Sequence, residues 1–188
     1  MKKTLIVAAI ASILFTQCEK KQDKFAIGIG SIGQVTSETV IKQIDSIFAN
    51  DSIVPQSSIK DALGTQGEVD VYEKSGAKLL RLSPDDENNP DAVITNVRVY
   101  DARYKTDKGL HLNSTFKDIK DNYKISGIQT SFDAVIISLE GSDVYVTIDK
   151  KELPENLRYN LNIRIEATQI PDTAKFKYFM IAWDGADE

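Results

Sequence analysis

The sequence predicts an α+β protein, with two helices against an antiparallel β-sheet. Three observations carry that expectation. Two segments repeat apolar residues at helical spacing, and most of the remaining chain alternates at period two around Gly-containing turns. Each helical segment also follows a short Gly-containing apolar stretch, "AIGIGSIG" or "KGLHL", and precedes several strands. That shared order suggests duplicated strand-helix-strands units, with candidate repeats over 25–105 and 106–188 of a single domain spanning 25–188.

In the first helical segment, 36–48, Val40, Ile41, Ile44, Ile47 and Phe48 share a stripe, with Thr36 or Ser37 as the N-cap. Residues 50–67 form a polar loop with a helical turn around Ile59 to Leu63. "EVDVYEK" and "AKLLRLS" flank Ser75-Gly76 as a hairpin, and "DAVITNVRVYDARY" follows as a further strand. The second helical segment, 113–123, places Phe116, Ile119 and Tyr123 on one face, with Asn113 or Ser114 as the cap. "FDAVIISLE" and "DVYVTID" flank Gly141-Ser142 as a second hairpin, and "LNIRIEA" and "KFKYFMIAW" read as closing strands.

The N-terminus carries an address. Met1-Lys2-Lys3 precedes an apolar run from Leu5 to Phe15. At about eleven residues that run suits a signal peptide, whereas a spanning helix needs about 20. Cys18, the only cysteine, follows directly. The segment Leu14-Phe15-Thr16-Gln17-Cys18 resembles a lipobox, of the looser kind found in Bacteroidetes-like lineages, since Phe15 and Gln17 depart from the usual pattern. The resemblance implies cleavage after residue 17 and acylation of Cys18, with a secretory signal cut elsewhere as the rival reading. Residues 18–24 then form a charged tether from the membrane, and residues 1–17 leave with Lys2 and Lys3. The implied location is the cell envelope, lipid-anchored at the outer membrane, on its periplasmic or surface face.

"GLHLNSTFKDIKDNY" resembles a segment of small envelope lipoproteins of the SmpA/OmlA type, over about fifteen residues. In that group the segment is structural and carries over no functional residue. Taken whole, the chain resembles an uncharacterised family of bacterial lipoproteins of the Bacteroidetes type.

With 28 acidic against 23 basic residues and a net charge of −5, the chain lacks the clustered Lys and Arg that nucleic acid requires. "GIGSIG" at 28–33 matches G-x-G-x-x-G in letters only. No helix opens at Gly33 and the later chain reads antiparallel, so flexible turn backbone is the better reading. His111 is the sole histidine, too few for a zinc site, and no nucleophile elbow accompanies it. "SPDDENNPD" at 83–91 is rich in oxygen ligands but lacks EF-hand spacing, and reads as a turn.

Arg98, Tyr100 and Arg103, with Tyr104 and Lys105, form a basic and aromatic spot in an acidic chain. Alternation puts Arg98 and Tyr100 on one strand face. Such a patch suits an anionic ligand or a partner's carboxylates, and an exposed, solubilising sheet face is the plainer alternative. Trp183, Phe176, Tyr178 and Phe179 read as core strand, or more remotely as a sugar platform. No catalytic residue, metal ligand or cofactor is assigned. The expected function is a membrane-anchored, non-enzymatic binding or accessory protein with a possible envelope protein partner. An envelope hydrolase of Ser, Asp or Glu chemistry and a calcium-dependent adhesion module are the alternatives.

Overall fold

A computed structural model describes residues 23–56, 68–158 and 164–183. Cys18, its lipobox-like segment and the helical turn read at Ile59–Leu63 lie outside the described residues. The described chain is mostly β, with twelve strands in two sheets, and this overturns the α+β expectation of two helices against a sheet.

The small sheet has the order β3-β2-β1-β8, from β1 (Ala26–Gly28), β2 (Ser31–Ile32), β3 (Val35–Thr36) and β8 (Lys105–Thr106). β1 pairs in parallel with β8. "GIGSIG" makes the two turns that fold β1, β2 and β3 back on each other, with Gly30 and Gly33 at φ +67° and +55°. At Gly33 the glycine is required, because a Cβ there would sit 2.4 Å from the Lys24 carbonyl oxygen.

The large sheet is antiparallel throughout, in the order β4-β5-β6-β7-β12-β11-β10-β9. One four-strand meander comprises β4 (Ser52–Gln56), β5 (Glu68–Tyr72), β6 (Lys78–Pro84) and β7 (Ile94–Val99). The other comprises β9 (Ile125–Thr130), β10 (Ala134–Leu139), β11 (Val144–Asp149) and β12 (Phe176–Ala182). The last strands of the two meanders, β7 and β12, join them into one sheet. β4 falls inside the segment expected to be a loop. Its Pro55 has no N–H to give, which an edge strand tolerates.

The helical segments are short. Residues 36–48 contribute a 3-10 turn, Ile41–Gln43, and α1 (Ile44–Ile47). Thr36 is already paired in β3, and Thr39 turns back onto it, so the helix cannot start at Thr36 or Ser37. In the second segment α2 (Phe116–Asn122) is capped by Thr115, not by Asn113 or Ser114. The Asp118 carboxylate accepts the Thr115 N–H at 2.7 Å and its hydroxyl at 3.1 Å. The strand read at 161–167 lies partly outside the described residues, and its remainder runs into a 3-10 turn at Ala167–Gln169. A one-turn α3 (Glu155–Arg158) precedes it.

Alternation along the strands divides the large sheet into two faces. Val69, Leu80, Leu82, Val97, Val99, Ile137, Val146, Phe179 and Ile181 point inward and form one core with Ile41, Ile44 and Phe48 and with Phe116 and Ile119. The two helical segments attach to their meanders in the same way. The Ile41 N–H donates to the Ala92 carbonyl as the Phe116 N–H donates to that of Ala174, both at 2.9 Å. Lys42 to Pro90 matches Lys117 to Asp172, and the bridge Val40–Val93 matches Thr115–Lys175. Upstream, the Thr36 N–H reaches the Thr39 hydroxyl as that of His111 reaches the hydroxyl of Ser114.

Candidate functional site: a cation–aromatic ladder on the outer sheet face

The opposite face of the large sheet carries polar and aromatic side chains, most of them half-buried. Register places Asp70, Arg81, Arg98, Met180 and Tyr145 in one row across five strands. Beside it, cations and rings alternate. Lys78 lies 5.8 Å from the Tyr72 ring centroid and 4.0 Å from that of Tyr100. The Arg98 guanidinium carbon lies 4.8 Å from Tyr100 and 3.8 Å from Tyr178. Lys177, the extra residue at the bulge between β11 and β12, ends the ladder at 5.6 Å from Tyr178. Each contact sets a cation against the negative face of a ring.

Carboxylates hold the two ends. Asp70, only 2% exposed, takes the Lys78 ammonium at 2.7 Å and Arg81 through two bonds, at 2.7 and 3.0 Å. Burial pushes the Asp70 carboxyl up, but the hydrogen bonds from Arg81 and Lys78 outweigh it and hold the group below the usual range. Arg81 also reaches Glu68 at 3.1 Å, and its hydrogen bonds to Asp70 are the chief cause that keeps its guanidinium firmly charged. At the other end Lys177 bonds Asp133 and lies 3.3 Å from Asp149. Both of those carboxyls are lowered, Asp133 chiefly by Lys177 and Asp149 chiefly by the Lys151 N–H. At the centre Arg98 touches two rings and, among the described residues, no carboxylate.

The expected patch is therefore brought together only in part. Arg98 and Tyr100 share the ladder. Arg103 is turned away from it, bonded to Asp101 and Glu73 and lying 4.4 Å from the Phe25 ring. Hydrogen bonds from Arg103 lower the carboxyls of both partners. Tyr104 is buried edge-on to Phe25, and Lys105 is exposed in β8. Tyr178, Lys78, Lys177 and Asp70 are members that sequence reasoning missed. Alternation in "KFKYFMIA" separates Tyr178 and Met180 from the buried Phe179 and Ile181, so the signal was there for the tyrosine. Ladder membership needed the order in which strands pair, which joins β7 to β12 across more than seventy residues of chain.

The remaining candidates are absorbed by structure. The His111 ring accepts its own turn's Asn113 N–H at 3.2 Å. Asp85, Asp86 and Asn89 accept backbone N–H groups of their own loop, and Asp91 pairs with Lys42. Among the described residues no three His, Cys, Asp or Glu side chains are placed to hold a metal ion together. Phe176, Phe179 and Trp183 are buried. A cleft of about 340 Å³ near Ile29, Lys108, Tyr123 and Glu140 has its charges met internally, Lys108 by the Asn122 carbonyl and Glu140 by Lys124. Lys150 is 3% exposed, and its ammonium has no hydrogen-bond partner among the described residues.

Mostly β, two-sheeted and built of two meanders, the chain matches no protein-family model and no curated protein. Among solved structures it is similar to the crystal structure of the uncharacterized protein yfeY from Escherichia coli. The TM-score is 0.50 at 15% identity, over 86% of this chain and 100% of that one. A likeness at that identity shows the fold alone.

Proposed function

We propose that this chain is a lipid-anchored protein of the bacterial cell envelope, cut before Cys18, acylated there and held at the outer membrane by a tether over residues 18–24. It acts as a non-enzymatic binding or accessory protein and docks an envelope protein on the outer face of its large sheet. The anchor is supported by the short basic and apolar leader and by the position of the single cysteine. Equivalent hydrogen bonds in the two halves support a body of two repeats, 25–105 and 106–188.

The observation that carries the docking is Arg98. In a chain with more acids than bases, its neighbours on the ladder have carboxylates and, among the described residues, it has none. A half-buried arginine among tyrosines on a sheet face is the kind of group that anchors protein interfaces. Crosslinking in living cells, followed by purification through a C-terminal tag, tests this reading. A defined envelope protein should be recovered with the wild type and lost with Arg98→Glu, at equal levels of the two proteins in the membrane fraction. Recovery of the same protein by both, or of none by either, contradicts it.

A further inference from the structure

We infer that Arg98 is the seat for a single carboxylate, presented by an acidic segment of a partner protein; this rests on the docking face proposed above and assigns its chemistry. The ring contacts to Tyr100 and Tyr178 stabilise the charge of Arg98 but accept none of its five N–H donors. Those donors form a planar fork matched to a carboxylate, and the rings fix where the fork lies before any ligand arrives. Among the described residues, carboxylates meet Lys78, Arg81 and Lys177 on the same face and none meets Arg98.

The charges around the seat choose the ligand. On one side Lys78 and Arg81 balance Asp70 and Glu68. On the other, Asp133 and Asp149 are met by Lys177 and also feel the charges of Lys150 and Lys151. A monoanion neutralises Arg98 and no more. A phosphate carrying about two negative charges would exceed the single charge of Arg98. The shape of the site favours a polypeptide. From Tyr72 on β5 to Tyr178 on β12 the ladder crosses three strand spacings, roughly 14 Å of pleated surface at about 4.8 Å per spacing. Tyr145 and Met180 extend that surface beyond Arg98. Aromatic residues and methionine are what protein interfaces gather around a central arginine.

The test is a titration of the full-length protein in detergent, following the Arg98 Nε–H resonance by NMR and identifying it by its loss in Arg98→Lys. A short capped peptide alternating glutamate and glycine should shift that resonance saturably. The same peptide with glutamine in place of glutamate should leave it unmoved, and inorganic phosphate should act only at higher concentration. Arg98→Lys keeps the charge and loses the fork. It should weaken the glutamate peptide by at least about tenfold, read from tyrosine fluorescence. An unmoved resonance, an equal response to the glutamine peptide, or tighter binding of phosphate overturns the carboxylate seat. If cells yield a partner that Arg98→Glu loses while the resonance stays unmoved, the docking face stands and the seat falls. If the peptide binds but cells yield no partner, the seat stands and the protein-docking reading falls.

Discussion

At Asp70 three hydrogen bonds from two cations converge on a carboxylate that is almost wholly buried. Lys150 is the reverse case, a buried ammonium with no hydrogen-bond partner among the described residues. Removing one member of a buried ion cluster strands the others, so Asp70→Asn should lower stability by about 2–3 kcal/mol, measured by chemical denaturation. Lys150→Met removes an unpaired charge at similar volume and should raise stability, by about 1–3 kcal/mol in the same experiment.

The pH dependence follows from the sign of the Asp70 shift. Its native carboxyl ionises below the unfolded value, so between the two the unfolded chain binds more protons. The contribution of Asp70 is therefore complete above roughly pH 4 and lost as pH falls through the native value. Wild-type stability should drop on that acid limb, and Asp70→Asn should flatten the drop. A limb of unchanged depth in the variant would show that Glu73, Asp101, Asp133 and Asp149, whose carboxyls are also lowered, account for it instead.

Among the elements, hairpins were the most legible. β5 and β6 flank Ser75-Gly76, and β10 and β11 flank Gly141-Ser142, because alternation and turn chemistry are both local signals. The helical segments misled. The stripe from Val40 to Phe48 does bury Ile41, Ile44 and Phe48, but only a turn or so of helix is needed to bury them. The flanking Thr36 and Thr39 prefer a side-chain-closed turn, and His111 and Ser114 repeat it. β4 was read as loop because Ser52, Pro55 and Gln56 are polar or strand-breaking, as an edge strand with one exposed rim allows. The weight of β structure was underestimated accordingly.

For the whole molecule, the seam between β7 and β12 decides which side chains meet on the outer face. It makes two meanders into one sheet and brings Arg98 from one to Tyr178 from the other. No stretch of sequence encodes that meeting, which is why Arg98 and Tyr100 were found and Tyr178, Lys78 and Asp70 were not. It also explains why Arg103, close to Arg98 in sequence, belongs to a different corner with Phe25 and Glu73. We propose this outer face as the docking surface. It is tested most directly by placing a photo-crosslinking residue at Met180, on the face, or at exposed Lys117, on α2, and irradiating living cells. A discrete adduct with one envelope protein is expected from position 180, absent from position 117 and abolished when Arg98→Gln is added. An adduct from position 117 alone, or one from position 180 that survives Arg98→Gln undiminished, would contradict it.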